Sequence, residues 1–340
     1  MDGLSKDGVI VEYKHVSEFN TDYIKRDLAN YDGILLDLRL DDTPDSSDFT
    51  ASEFAQHIRT LVTKGDLTKD LPIVLFSTDE KLQKVYSIDL SSHNLFDGYI
   101  PKVDTPNNAS EELFALAKGY IEIEKYKNNL EKLIGLEDLY DLNGEIFARF
   151  LDESLTIPSH EYAQVILKDL IYVTSVLINE DILAARLGID KKKSADWEKV
   201  TNIFESAKYK GVFSDGWDRW WEHKINNIFK QEFQISQSYL NADEKCQLFK
   251  DQGINNIISP KPIKFNSSNR FTTVCKVLNQ PLDSLEGYRA YSSKPLRQWQ
   301  EYDYVSLYAF AEKLNERKNI RVHPDDKDSL INAITDLNEK

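Results

Sequence analysis

The chain is poor in the residues that staple or anchor a protein. It has two cysteines, Cys246 and Cys275, in 340 residues, and neither has a second cysteine at metal-ligand spacing. Two lone thiols argue against a disulfide scaffold and fit a reducing, cytoplasmic setting. No apolar run approaches the ~18 residues that read as a bilayer span, so no membrane helix is expected. The opening MDGLSKDGVIVEYK lacks the basic and long apolar regions of a signal peptide. Positive charge is also scarce: 42 Lys and Arg against 57 Asp and Glu leave a net charge of −15. That sign disfavours non-specific binding to nucleic acid or anionic lipid and favours basic protein partners. The deficit is uneven, with 11 basic against 20 acidic residues in positions 1–104. The six histidines are scattered, with no Ser/His/Asp set, HExxH or glycine-rich phosphate loop. No catalytic constellation is visible, and the chain is not expected to be an enzyme.

What is present suffices for ordinary cores, with 41 % hydrophobic and 11 % aromatic residues. The length fits two domains better than one. In the first third, short apolar runs alternate with helix-length stretches. GVIVEYKHV (8–16) reads as a strand, and a helix capped by Ser17 follows to about residue 31. YDGILLDLRLDD (31–42) holds a buried-type strand ending in Asp37, and an acidic loop follows with Asp41, Asp42, Asp45 and Asp48. A helix is predicted near 51–64, with Phe54, Ile58, Leu61 and Val62 at helical spacing. LPIVLFST (71–78) is the next strand, a helix is predicted over 79–90, and FDGYIPKVD (96–104) carries the last strand and Lys102. Strands separated by helices argue for a parallel sheet with right-handed crossovers, whose strand C-termini converge on one edge. Carboxylate, hydroxyl and ammonium, each at the end of a strand, would meet there.

These residues resemble the receiver domain of two-component response regulators over about 8–104. DGILLDLRL looks like that family's third strand with its phosphoacceptor, here Asp37. PIVLFST looks like the fourth strand with the switch hydroxyl, here Ser77, and DGYIPK like the fifth with its lysine, here Lys102. The resemblance implies a flavodoxin-like fold in which Asp37 takes a phosphoryl group from a phosphohistidine. Lys102 and Mg²⁺ would neutralise the phosphoryl oxygens, with the Asp37 carboxylate and the Arg39 carbonyl as metal ligands. Ser77 would bond the product, and Tyr99 stands where the family often places its moving aromatic. The chain departs from the family at its start. No strand ending in an acidic pair precedes residue 8, whose run aligns with the family's second strand. We expect the missing strand to lie upstream of residue 1; the other reading is a domain without its metal carboxylates. The acidic loop reads first as a solvated loop and, as the alternative, as a source of substitute ligands.

A polar boundary at 103–112 separates this domain (1–104) from a linker helix (105–135) capped by Ser110, and then a mainly helical domain (136–340). Helices are predicted near 139–151 and 160–177. EDILAARLGID (180–190) resembles the first helix and turn of a helix-turn-helix, with a second helix before 210 and a hairpin or wing at 211–221. Positions 181–224 hold nine basic and eight acidic residues, a poor balance for DNA. Trp217, Trp220 and Trp221 cluster as core packing or, in the sharper reading, as a hot spot for a protein partner. After residue 257 turn residues and short β-type runs indicate a small β element, with FTTVCKVL (271–278) the best strand, before a helix from about 303.

The expected function is phosphorelay-type signalling, with phosphate on Asp37 altering protein contacts of the C-terminal domain. A histidine kinase or other phosphodonor and a protein partner are implied, and the unusual C-terminal region suggests a bacterial defence (antiviral) setting. The alternatives are a pseudo-receiver scaffold or phosphate sink, and a DNA-binding regulator through residues 181–210.

Overall fold

Three apolar runs, each too short to be a helix, pair side by side in the computed structural model, which describes residues 4, 5, 8–14, 24–26, 28–38, 50–78, 94–139, 142, 144–151 and 156–339. They are β1 (Ile34–Asp37), β2 (Ile73–Ser77) and β3 (Gly98–Pro101), parallel and in that order across the sheet. Ile34 lies opposite Ile73, and Val74 opposite Gly98. Ile73, Val74 and Leu75 are buried in succession, as in a strand covered on both faces. Helix α1 (Ala51–Thr63) joins β1 to β2 and brings Phe54, Ala55, Ile58 and Leu61 into one core with Leu36, Leu75 and Phe96. It begins at a reciprocal capping box, Thr50 with Glu53.

Two expectations for this region change. No strand forms over 9–14, and positions 15–16 lie outside the described residues. Ile10 and Tyr13 are 85 % and 70 % exposed, and among the described residues no strand pairs with the run. Of the helix expected before residue 31, residues 24–26 are helical and Leu28–Asn30 form a 3-10 turn. The helix expected over 79–90 lies outside the described residues.

The expected linker helix groups with the first unit. Helix α2 (Ala109–Tyr126) buries Ala115, Leu116, Gly119, Tyr120 and Ile123. Ser110 sits inside its first turn, with Asn108 at the cap. The helix stops at Tyr126 because Asn129 caps a separate short helix, α3 (Leu130–Ile134), by accepting from the Lys132 N–H. Gly135, at φ 65°, ends α3 in the left-handed conformation. Of the helix expected over 139–151 the described residues show a 3-10 helix at Ala148–Leu151, and the next, α4 (Ser159–Gln164), runs on as a π-helix to Ile171. The chain divides into two units, one of Met1–Lys168 with Lys210–Trp217, the other of Asp169–Tyr209 with Asp218–Lys340. In this division residues 105–168 group with the first unit.

In the second unit β4 (Leu177–Asn179) pairs antiparallel with β5 (Arg219–Trp221). The hairpin expected at 211–221 does not form, because β5 takes β4 as its partner while Lys210–Trp217 packs in the first unit. Helix α5 (Glu180–Arg186) ends at Gly188, whose φ of 70° and contact with Ala242 leave no room for a side chain. Around it α6 (Trp197–Ile203), α7 (Glu222–Phe233) and α8 (Ala242–Asp251) share a core of Leu183, Phe204, Phe229 and Phe249. The strand expected over 271–278 reduces to β6 (Thr273–Val274), paired with β7 (Pro281–Leu282). β8 (Gly287–Arg289) pairs with β9 (Tyr304–Ser306), and short α9 (Leu307–Ala311) and α10 (Lys327–Asn338) complete the unit.

Candidate functional site at the strand C-termini

Parallel pairing puts the ends of β1, β2 and β3 at one edge, and the polar residues there meet as the strand order demands. The Lys102 ammonium pairs with the Asp37 carboxylate across 65 positions of sequence. Both side chains are partly open to solvent, at 33 % and 43 % exposure. Ser77, between them on the central strand, is buried. Its carbonyl accepts the Lys102 backbone N–H at 2.8 Å and the Tyr99 hydroxyl at 2.9 Å. The Lys102 ammonium also lies 5.4 Å from the centre of the Phe76 ring. Asp37, Ser77, Tyr99 and Lys102 are thus one constellation. Arg39, the expected carbonyl ligand, lies outside the described residues.

A divalent cation at this edge would need several oxygen ligands. Among the described residues no three His, Cys, Asp or Glu side chains stand together to hold a metal. A single carboxylate already paired with an ammonium is a poor match for a hard cation that needs oxygen ligands. The described residues by themselves therefore do not make up a Mg²⁺ site.

A second polar cluster lies at the opposite edge, where β2 and β3 begin, and the sequence reading missed it. Arg59, 3 % exposed in the middle of α1, donates to Asp70 Oδ1 at 2.9 Å, to the Leu71 carbonyl at 2.8 Å and to Asp97 Oδ2 at 2.7 Å. The Tyr120 hydroxyl donates to Asp97 Oδ1 at 2.7 Å, and the Ile73 N–H to Asp97 Oδ2 at 2.8 Å. Asp70 also accepts the His160 backbone N–H at 2.7 Å, with His160 Nδ1 2.8 Å away. Burial alone would lower the Arg59 pKa, but its interactions with Tyr120, Asp97 and Asp70 raise it. Burial would raise that of Asp70, yet hydrogen bonding to His160 and the charge of Arg59 hold it below its ordinary value. The sequence signal was an arginine within the apolar stripe Ile58, Leu61, Val62, with an aspartate just ahead of each of two strands.

Of the two readings of the tryptophans, core packing or a partner surface, burial favours the core for Trp220 and Trp221. Trp220 and Trp221 are 4 % and 0 % exposed, Trp220 in the core with Phe204 and Phe229. Trp221 meets Tyr209 edge-on at 5.7 Å. Burial removes both indoles from reach of a partner, while half-buried Trp217 belongs to the first unit. In the helix-turn-helix-like segment Lys191 pairs with Glu180 and Asp181, Lys193 with Asp190, and Lys199 with Asp196. Those cations are already answered by local carboxylates. Among the described residues no helix is long and apolar enough to cross a membrane. No protein-family model, curated protein or solved structure matches the chain.

Proposed function

We propose that the first unit is a flavodoxin-like, receiver-like signalling domain that accepts a phosphoryl group on Asp37. The observation that carries this reading is the Lys102–Asp37 ion pair at the strand C-termini with Ser77 between them. The order β1-β2-β3 is compatible with the third to fifth strands of that fold. In the proposed step an Asp37 carboxylate oxygen attacks the phosphorus of a phosphohistidine or an acyl phosphate. The donor's bond to phosphorus breaks, and imidazole or carboxylate leaves with its electron pair. Lys102 leaves the carboxylate to follow the phosphoryl oxygens, so the charge gained on Asp37 is met by a group already beside it. Tyr99 and Lys102, which share the Ser77 carbonyl, would feel that change first. The signal would be read by a protein partner, in a cytoplasmic setting. A shift in an existing equilibrium would suffice.

Intact mass after incubation with acetyl phosphate and Mg²⁺ tests the step. A phosphoryl adduct is expected on the wild-type chain, absent from Asp37→Asn and diminished in Lys102→Ala. An unmodified wild-type chain would overturn phosphoryl acceptance and favour the scaffold reading, in which the same edge only binds.

A further inference from the structure

Lys245, in α8 of the second unit, is a buried amine whose surroundings do not complete it. It is 5 % exposed, and among the described residues its side chain has one hydrogen-bond acceptor, the Arg186 carbonyl at 2.7 Å. No carboxylate of those residues stands within ion-pair distance of it. The acidic side chains on the elements around it are committed elsewhere. Glu301 takes Arg186 Nη2 on both oxygens at 2.7 Å, and Glu222 pairs with Arg186 Nη1. Asp243 accepts from Asn269 Nδ2 at 3.1 Å, and Glu244 closes the capping box with Asn241. As an ammonium, Lys245 thus has three N–H protons and a positive charge answered by a single carbonyl, a costly arrangement for a buried group.

The charges that act on it are cationic. Arg270 follows Asn269, whose carbonyl accepts the Ala242 N–H at 2.9 Å, so this segment is fastened to the start of α8. The Arg270 side chain is exposed and has no hydrogen-bond or ion-pair partner among the described residues. Burial, then the charges of Arg270 and Arg186, push the Lys245 pKa down to about 8, which enlarges the share of neutral, nucleophilic amine. A group that completed the site would keep one N–H for the Arg186 carbonyl and bring negative charge to Arg270. Its source would be small and uncharged, because the amine is buried. A neutral imine keeps no N–H, and an amide keeps one but adds no charge. A carbamate keeps one N–H and adds a carboxylate. We propose that Lys245 is a site of carbamate formation with carbon dioxide, the carbamate N–H staying on the Arg186 carbonyl and its carboxylate met by Arg270. In the step the amine lone pair forms a bond to the carbon of carbon dioxide, one C=O electron pair moves onto oxygen, and the nitrogen releases a proton to water. The modification turns a cation into an anion, and it is independent of phosphoryl transfer to Asp37.

The full chain would be equilibrated near neutral pH with carbon-13-labelled carbon dioxide and bicarbonate. A trialkyloxonium salt then esterifies any carbamate, and the digest is read by mass spectrometry, with the exposed lysines of the same digest as the reference. Trapped label at Lys245 is expected to exceed that at exposed lysines by about tenfold or more, because more of its amine is neutral. Unfolding in guanidinium chloride before labelling should bring Lys245 down to the level of the others. Arg270→Ala lies at an exposed position without a partner, so it leaves the fold intact. It removes both the charge that favours the neutral amine and the group that receives the carboxylate, and label at Lys245 should fall about threefold or more. Label at Lys245 no greater than at exposed lysines, label that survives unfolding at the same excess, or an unaltered label in a folded Arg270→Ala would overturn the proposal.

Discussion

The Phe213 ring lies against the backbone of Gly119, in the middle of α2, so closely that a Cβ at position 119 would overlap it. Phe213 is 3 % exposed and holds a φ of 69°, a conformation few aromatic residues adopt. Its neighbours fasten the segment: Val212 donates to the Leu133 carbonyl at 2.7 Å, and Lys118 pairs with Asp215 at 2.5 Å. The backbone of Lys210 and Gly211 fills the place a side chain at Gly135 would take.

On an isolated helix Gly119→Ala would gain about 1 kcal/mol. Here the methyl group must displace a buried ring, so a net loss of about 1–3 kcal/mol is expected. Chemical denaturation reads the loss, and hydrogen exchange should rise first over 210–217. A neutral or stabilising Gly119→Ala would mean that the ring yields freely.

Arg59 is paired with two buried carboxylates, Asp70 and Asp97, so its removal takes a counter-charge from both. Arg59→Leu is expected to cost about 3–5 kcal/mol, because it leaves uncompensated buried charge. Tyr120→Phe, which removes one hydrogen bond to Asp97, should cost about 1–2 kcal/mol. The pH dependence follows from Asp70, whose pKa in the fold lies below its ordinary 3.8. Its stabilisation is present above that value and is lost as pH falls through the lower one. In Arg59→Leu the acid transition should move to higher pH. Denaturation curves from pH 7 down to 3 would show it; an unchanged acid limb would contradict the assignment.

Lys245, on α8, is 5 % exposed and donates to the Arg186 carbonyl at 2.7 Å. Burial, aided by the charges of Arg270 and Arg186, pushes its pKa down to about 8. Between about 8 and the ordinary 10.5 the unfolded chain holds the proton more firmly. Stability contributed by this group therefore rises with pH across that window, by about 1–3 kcal/mol. Lys245→Met should abolish the rise. Urea unfolding of both chains at pH 7.5, 9 and 10.5 makes the comparison, and parallel curves would refute it.

The sequence by itself determined the local matters. Three apolar runs of strand length between helical stretches become β1, β2 and β3, because burial on both faces of a sheet selects such runs wherever they stand. Asp37, Ser77 and Lys102 were legible together because parallel pairing must bring strand ends to one edge. Tertiary structure decided everything that needed a partner far along the chain. The segment 9–14 is strand-like in composition, but its Ile10 and Tyr13 side chains stay exposed. Trp220 and Trp221 became core because β4 claims their strand. Arg59 meets Asp97 and Asp70 meets His160 across 38 and 90 positions. Hydrophobic periodicity carries information over a few residues only, whereas an ion pair is set by which elements the topology makes adjacent.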